Sequence, residues 1–302
     1  MGDEREWIDR FLSHLAHERR VSGHTIAAYR HDLFALADFG VRRRLDRWPA
    51  FDNSELRTFA AALHGSGLSP RSIQRRLSAA RTFYEYLMRE GHCTRNPALD
   101  VRAPKSNKRL PATLDADQMG RLLAFRVDDC LSARDKAIME LFYSSGLRLT
   151  ELVGLDVAAL DLKDRTVRVL GKGSKTRIVP VGRYAIDALK KWLQERARLV
   201  KPEVVALFVG HGGRPLSVRA VQLRVGAWGR RQGIGVHIHP HMFRHSFATH
   251  LLESSGNLRG VQELLGHADI GTTQVYTHLD FQHLATVYEA AHPRARRRPR
   301  SA

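Results

Sequence analysis

A short block of β-type sequence, residues 160–180, interrupts a chain whose pattern is otherwise helical. Within it, β-branched and other apolar residues form three short runs, at 160–162, 166–170 and 176–180. Charged and glycine-containing stretches separate the runs and have the composition of turns. The sequence therefore predicts a three-stranded antiparallel sheet within a mainly α-helical protein.

The first hundred residues carry four apolar patterns of helical period. The first pattern consists of Ile8, Phe11, Leu12 and Leu15. The fourth is the clearest, because Ser69 is a good N-cap, Pro70 suits the first helical position and Gly91 closes the helix. We therefore expect a helical N-terminal domain over residues 1–92.

The rest of the chain divides into a linker, a second domain and a tail. Residues 93–110 are basic, bounded by prolines and without hydrophobic period, which is typical of a linker. Residues 111–293 form the second domain, and the Arg- and Pro-rich residues 294–302 are expected to be a basic disordered tail. Helices of the second domain are predicted at 114–125, 133–144, 185–199, 218–232, 242–254, 258–265 and 281–291.

The charge of the chain indicates a polyanionic partner. Its 49 Lys and Arg residues outnumber its 31 Asp and Glu residues, giving a formal net charge of +18. A protein this basic usually binds nucleic acid. A GC-rich genome would enrich Arg over Lys, but it would not by itself create an excess of base over acid. Four arginines of one sign lie opposite the apolar stripe of the fourth helix, and we favour phosphate contacts for them over plain solvation: Arg71, Arg75, Arg76 and Arg81.

Features of secreted and membrane proteins are missing from the sequence. Cys93 and Cys130 make neither a disulfide framework nor a zinc site by themselves, which fits a reducing compartment. The first six residues are charged and show no signal-peptide core, and no run of about 18 apolar residues occurs. We therefore expect a cytoplasmic protein without membrane insertion.

Two basic residues stand at positions suited to ligand binding. Arg148 lies between Gly146, which breaks a helix, and Thr150, which can begin another, so its side chain can point into a cleft. Glu151 is near enough in sequence to hold that guanidinium. Lys172 lies between two glycines in a predicted hairpin turn, where it is either a solubilising lysine or an ammonium group projected into a ligand.

A histidine-rich segment, residues 237–245, offers two interpretations. His241 and His245 are spaced to share a helix face, as in some zinc sites, but no Glu follows His241 and no cysteine lies near. We favour the alternative, in which His241 and Arg244 lie side by side in the first turn of a helix and bind an anion at its positive end. His267 and Tyr276 each carry little weight alone, because a lone His or Tyr is most often structural.

Together these residue types match the needs of phosphodiester transfer. Two guanidinium groups neutralise the non-bridging oxygens, and a nucleophile, a base and an acid complete the reaction. A tyrosine hydroxyl, with a pKa of about 10, is a fair nucleophile and a good leaving group in reverse. Because a covalent phosphotyrosine retains the energy of the broken bond, neither ATP, nor a metal ion, nor another cofactor is needed in principle.

The order Arg148, Lys172, His241-x-x-Arg244, His267 and Tyr276 resembles the tyrosine recombinases, also called phage-integrase-like site-specific recombinases. The resemblance implies a mainly α fold with a small antiparallel sheet: a helical, SAM-like core-binding domain followed by an α+β catalytic domain. It implies that Arg148 and Arg244 clamp the scissile phosphate, Lys172 is the general acid, His241 is the base, His267 supports the phosphate and Tyr276 is the nucleophile.

The sequence from Tyr276 to Leu284, followed by Ala291 to Arg294, resembles more narrowly the branch of the family that resolves chromosome dimers. This implies a double-stranded DNA recombination site, a partner recombinase in a heterotetramer, a Holliday junction and a septal DNA translocase. It also implies that the segment after Tyr276 packs on a neighbouring subunit, for which it offers the apolar face Phe281, Leu284, Val287 and Tyr288.

Three other functions remain open at this point. An integron, phage or transposon integrase with its own site would use the same chemistry, although the short two-domain layout and the C-terminal sequence argue against it. A DNA-binding protein that no longer cuts has no need of six intact polar positions. A metal-dependent nuclease would lose activity in chelator.

Overall fold

A computed structural model describes residues 4–19, 21–105, 113–171, 176–256, 258–265 and 292–293 of the 302-residue chain. The chain divides into two compact units, Met1–Arg109 and Leu110–Ala302. The described residues are mostly helical and contain one small antiparallel sheet, so the predicted fold class is confirmed. The predicted helix at 281–291 and the tail at 294–302 lie outside the described residues.

The N-terminal unit is built from helices. They are α1 (Arg5–His17), α2 (Gly23–Arg42), α3 (Asn53–Gly65) and α4 (Pro70–Arg89), with a short 3₁₀ turn at Trp48–Ala50. The predicted stripe of α1 is buried, and the predicted cap of α4 is confirmed, because the Ser69 side chain accepts a hydrogen bond from the Ser72 N–H at 3.2 Å. Gly91 follows α4 with a φ of 72°, a conformation that favours glycine.

Trp48 organises the aromatic core of this unit. Its side chain is fully buried, and its ring meets that of Phe83 edge-on at 4.9 Å. The Tyr84 hydroxyl donates to the Trp48 carbonyl at 3.1 Å, and the Trp48 indole N–H donates to the Glu4 carbonyl at 2.8 Å. The polar atoms of both large rings are therefore satisfied inside the core, as buried Trp and Tyr require.

The C-terminal unit surrounds the predicted sheet with helices. The helices are α5 (Ala116–Leu122), α6 (Cys130–Ser145), α7 (Leu149–Val153), α8 (Arg183–Arg196), α9 (Val218–Arg231), α10 (Pro240–Ser255) and α11 (Leu258–Leu265). The strands are β1 (Leu160–Asp161), β2 (Thr166–Leu170) and β3 (Thr176–Pro180), paired antiparallel in that order. Strand β1 ends one residue earlier than predicted, because the Asp161 carboxylate accepts the N–H groups of Lys163 and Asp164 and turns the chain.

Helix α6 is the centre of this unit and begins three residues earlier than predicted. Asp129 caps it, since its carboxylate accepts the Ser132 N–H at 2.6 Å in a capping box. Asp135, 1% exposed, accepts hydrogen bonds from Arg134, Arg224 and the Trp228 indole, and so joins α6 to α9. Three donors on one buried carboxylate explain how α6 can carry charge in the core.

Near the end of the chain, His292 packs on the same unit. It is 3% exposed, and its ring lies 4.9 Å from that of Tyr143 and 5.3 Å from that of Phe247. The apolar residues predicted to reach a neighbouring subunit, Phe281 to Tyr288, lie outside the described residues. None of the helices in the described part of the chain is long and apolar enough to cross a membrane.

Candidate active site

A left-handed glycine places Arg148 between two helices. Gly146 ends α6 with a φ of 57°, and its N–H donates to the Phe142 carbonyl at 3.0 Å. A Cβ at this position would lie 2.5 Å from the Phe247 ring, so only glycine fits. The turn puts Arg148 at the N-cap of α7, which confirms its predicted position at the joint.

Glu151 holds Arg148 in place, as the sequence predicts. Its carboxylate accepts the Arg148 N–H at 2.8 Å and the Arg148 guanidinium at 2.9 Å. Burial would raise the pKa of Glu151, but hydrogen bonds from Arg177 and from the Arg148 backbone outweigh it and hold the pKa at about 2. Glu151 is therefore a permanent anion that keeps the half-exposed Arg148 side chain oriented.

Arg177 belongs to the same cluster, and the sequence did not identify it. It lies on β3 and donates from both Nη atoms to the two oxygens of Glu151, at 2.8 and 2.9 Å. The two residues are 26 positions apart, so no helical or strand period links them. The sequence did offer one signal, because Arg177 is a cation on the predicted strand that follows Lys172.

Arg244 is buried and fixed by backbone carbonyls. It is 8% exposed and donates to the Gly146 carbonyl at 2.6 Å and to the Leu265 carbonyl at 2.7 Å. Burial, together with the neighbouring charge of Arg148 and against the opposing charge of Glu151, lowers its pKa to about 10. Arg244 thus remains protonated at neutral pH, and the structure brings it close to Arg148, as predicted.

His241 lies in the first turn of α10, as predicted, although the helix begins at Pro240, two residues earlier than the predicted start at 242. Its side chain is exposed, whereas Arg244 one turn later is buried. Burial lowers the pKa of the neighbouring His239, and the adjacent histidines add to the shift, so that His239 is neutral near pH 7. Among the described residues, no group of three or more His, Cys, Asp or Glu side chains is placed to hold a metal ion.

The described part of the site is a cluster of arginines around one carboxylate. Arg148, Arg177 and Arg244 carry three positive charges and Glu151 carries one negative charge, an excess of two. Such a cluster suits a phosphate whose charge rises toward the transition state. The other three predicted residues, Lys172, His267 and Tyr276, lie outside the described residues.

The arginines of α4 differ from the prediction. Arg81 does not face outward but donates to the Ala98 carbonyl at 2.9 Å and to the Val101 carbonyl at 2.6 Å. Arg75 and Arg76 both contact the buried carboxylate of Asp32, at 2.5 and 3.4 Å. Arg71 is exposed and lines a groove of about 490 Å³ with Arg75. Two of the four arginines, Arg71 and Arg75, therefore line a surface groove.

Comparison with known families assigns the class of protein. Residues 112–283 match the Phage integrase family, and residues 8–91 match the Phage integrase N-terminal SAM-like domain. The chain belongs to the phage integrase family, the tyrosine recombinases. It is therefore a site-specific recombinase that cleaves and religates DNA and binds DNA recombination sites.

The relatives narrow the class. Tyrosine recombinase XerC of Pseudomonas aeruginosa (strain LESB58) is 58% identical over 292 residues, 96% of each chain. The XerC of Azotobacter vinelandii is 58% identical over 96% of this chain and 97% of its own. The XerC of Xylella fastidiosa is 53% identical over 97% of this chain and 99% of its own. The predicted resemblance to this branch of the family is confirmed.

Two solved structures share the fold. The XerH recombinase bound to its difH substrate, in a pre-cleavage complex, is 26% identical with a TM-score of 0.66, covering 86% of this chain and 78% of its own. A lambda integrase dimer bound to a COC' core site is 20% identical with a TM-score of 0.65, covering 90% of this chain and 99% of its own. The second likeness concerns the fold alone.

Proposed function

We propose that this recombinase works as a XerC-type enzyme that acts with a XerD-like partner to resolve chromosome and plasmid dimers at cell division. Two copies of each recombinase would form a heterotetramer on two DNA sites and exchange strands through a Holliday junction. A septal DNA translocase would control the reaction. The observation that carries this proposal is an identity of 53% to 58% with XerC proteins over nearly the whole chain.

The proposed chemistry assigns one task to each predicted residue. The Tyr276 oxygen attacks the scissile phosphorus and gives its proton to His241, so a phosphotyrosyl bond forms to the 3′ side of the break. The bond from phosphorus to the 5′-oxygen breaks, and Lys172 gives that oxygen a proton. His267 donates a hydrogen bond to the phosphate. Religation runs the same steps backward, so no bond energy is lost and no cofactor is required.

The arginine cluster supports the part of this scheme that concerns charge. Arg244 is held by two carbonyls and Arg148 by one carboxylate, so both guanidinium groups are oriented before any DNA binds. Groups oriented in advance stabilise developing charge without reorganising at the moment of reaction. We therefore propose that Arg148 and Arg244 clamp the non-bridging oxygens of the scissile phosphate.

We further propose the domain limits that the sequence indicates: residues 1–92 as the core-binding domain, 93–110 as the linker, 111–293 as the catalytic domain and 294–302 as a basic tail. The boundary between the two compact units at Arg109 and Leu110 and the two family matches support this division. Arg81 binds the carbonyls of Ala98 and Val101, which ties the first part of the linker to the core-binding domain.

The chemical step is tested with DNA that carries a nick beside the cleavage position, because loss of the short product traps the covalent adduct. We expect an adduct that survives denaturant with the wild-type chain and none with Tyr276→Phe. An adduct formed by Tyr276→Phe would refute the nucleophile assignment. The DNA site itself is found by sequencing the chromosomal fragments that the protein protects from nuclease.

The partner is tested on the same site. We expect full strand exchange only when the XerD homologue of the same genome is added, with this chain cutting one strand and the partner the other. Catalytic tyrosine variants of either protein then show which strand each one cuts. Efficient recombination by this chain alone would favour an integrase that acts on its own site.

A further inference from the structure

Two arginines share the carboxylate that orients the phosphate clamp. Arg177 donates to both oxygens of Glu151, at 2.8 and 2.9 Å, and Arg148 uses the same two oxygens, at 2.9 Å from its side chain and 2.8 Å from its N–H. We propose that Arg177 is a positioning residue for strand cleavage: it saturates Glu151, fixes Arg148 at the scissile phosphate and cancels the carboxylate's charge there. This inference rests on the phosphate-binding role proposed for Arg148.

The burial of the pair points to geometry rather than stability. The Arg177 side chain is 11% exposed and the Glu151 side chain 5% exposed, so both charges are largely removed from water. Ion pairs this buried add little net stability, because desolvation offsets their attraction. The Nε–H of Arg177 is buried and makes no hydrogen bond within the described part of the chain. Two apolar side chains in place of the pair would fill the same space at no loss of stability, so the pair points to a purpose other than stability.

That purpose follows from the charge of the cluster. A carboxylate beside a phosphate repels it, yet Glu151 is needed to hold Arg148. Arg177 removes the conflict, since its planar fork matches both carboxylate oxygens at once. Without Arg177 the positive excess of the cluster falls from two to one. The charge of Arg177 also lowers the pKa of Arg244, although burial and the charge of Arg148 contribute more.

The position of Arg177 also links two parts of the site. It is the second residue of β3, where it pairs with Val169 of β2, and Glu151 lies in the first turn of α7. The strand that follows Lys172 in the sequence is thus bound to the helix that begins after Arg148. A lysine at this position would carry the same charge. Its single ammonium group, however, would not match both carboxylate oxygens as the two forked N–H donors of an arginine do.

The test measures single-turnover cleavage of nicked site DNA by the full-length chain. We expect Arg177→Met to slow adduct formation about 100-fold, the loss typical of one oriented donor, with DNA binding changed less than about 3-fold. Arg177→Lys should recover part of the rate. Arg198→Met is the matched control, because Arg198 is 76% exposed and, within the described part of the chain, its ion pair is with Glu195 at the surface. Thermal unfolding of each variant shows that it is folded.

Two modified DNA substrates show where Arg177 acts. A methylphosphonate at the scissile position removes one non-bridging charge, and there we expect the Arg177→Met deficit to shrink to within about 5-fold. A bridging 5′-phosphorothiolate leaves as a thiolate without needing a proton, and there we expect the full deficit to persist. If the phosphorothiolate restores the rate of Arg177→Met instead, Arg177 assists protonation of the leaving 5′-oxygen. If neither substrate restores the rate, the role of Arg177 is purely structural. Either result overturns the proposal.

Variants of Arg148 and Glu151 distinguish a failure of this inference from a failure of the proposed function. Arg148→Ala cleaving at the wild-type rate would refute the clamp itself. A slow Arg148→Ala together with a fast Arg177→Met would refute only the positioning role. We also expect the double variant Glu151→Gln with Arg177→Met to cleave about tenfold faster than Arg177→Met alone, because the neutral amide no longer repels the phosphate. No gain in the double variant would contradict charge cancellation.

Discussion

Asp32 in the N-terminal unit and Glu151 in the C-terminal unit are buried carboxylates that two arginines contact, and the pKa values of the two shift in opposite directions. In the N-terminal unit, burial raises the pKa of Asp32 despite the charges of Arg75 and Arg76. In the C-terminal unit, the pKa of Glu151 falls to about 2 although burial opposes it. Nearby positive charge alone therefore does not decide which way a buried carboxylate titrates.

The difference lies in the hydrogen bonds. Asp32 accepts one short hydrogen bond, from Arg75 at 2.5 Å, while its Oδ1 lies 3.4 Å from Arg76 without forming one. Glu151 accepts four, two from Arg177 and two from Arg148. Desolvation outweighs the single hydrogen bond of Asp32, whereas the four hydrogen bonds of Glu151 outweigh desolvation. The catalytic unit thus carries a carboxylate with four hydrogen bonds, and the N-terminal unit carries one with a single hydrogen bond, from an Arg75 side chain that is 45% exposed.

Removing each carboxylate gives the largest expected difference. Glu151→Ala leaves Arg177 buried without its partner, so we expect the free energy of unfolding to fall by about 3 kcal/mol and cleavage to slow about 100-fold. Asp32→Ala should cost only about 1 kcal/mol, because the Arg75 side chain, 45% exposed, can turn into water. Denaturant unfolding and trapped-adduct kinetics measure both variants. Equal losses would show that the two pairs are alike after all.

The pH dependence of the two units should have opposite signs. The pKa of Glu151 lies below its ordinary value of 4.5, so its contribution is present above that pH and is lost as the pH falls toward about 2. This interval corresponds to about 3 kcal/mol. The pKa of Asp32 lies above its ordinary 3.8, so its contribution is present below that value and is lost as the pH rises through the folded-state pKa.

Hydrogen exchange read by mass spectrometry measures this pH dependence in each unit. Between pH 7 and pH 3, Glu151→Gln should flatten the acid loss of protection in α6 and α7 seen in the wild-type chain. Asp32→Asn should flatten a gain of protection in α2 and α4 over the same range. A wild-type chain whose two units change in the same direction would contradict the assignment.

A matched pair of glycines sharpens the comparison of packing. Gly146 and Gly91 both have positive φ angles, 57° and 72°. A Cβ on Gly146 would strike the Phe247 ring, whereas a Cβ on Gly91 would meet nothing within 4 Å. We expect Gly146→Ala to cost about 3 kcal/mol of unfolding free energy and Gly91→Ala about 1 kcal/mol. Gly146→Ala should also slow cleavage, because the Gly146 carbonyl holds Arg244.

The arginines of α4 give the smallest expected effect. Arg71 is exposed, while Arg81 is held by two carbonyls within its own unit. If α4 faces the DNA backbone, Arg71→Ala should lower the slope of log affinity against log salt concentration by about 0.9, and Arg81→Ala should leave it unchanged. Binding titrations at several salt concentrations measure this. A slope lowered only by Arg81→Ala would reverse the two roles.

What the sequence predicted well was local. Ser69, Pro70 and Gly91 delimit α4 through contacts within four residues, and Gly146 places Arg148 through the backbone of a single turn. The predicted pairing of Arg148 with Glu151 succeeded because the two lie three residues apart at the start of a helix. Signals of this kind depend only on neighbours along the chain.

What the sequence did not predict depends on contacts between distant segments. Arg177 and Glu151 are 26 residues apart, and Arg75 and Asp32 are 43 apart. Arg81 looked like a surface cation because its pattern on α4 fits an exposed face, but the chain returns after α4 and offers it two carbonyls. Only packing decides whether such a charge meets solvent, DNA or the protein's own backbone.

The two carbonyls that hold Arg244 have a further consequence for an enzyme that must join DNA as readily as it cuts it. The guanidinium is ordered by the Gly146 and Leu265 carbonyls, and hence by folding rather than by the substrate. On the proposed role of Arg244 as a phosphate clamp, intact DNA and the covalent intermediate meet the same preset group, which lowers one shared barrier and shifts neither end state. Such a clamp accelerates cleavage and religation equally, so the balance between cutting and joining depends on whatever moves the DNA.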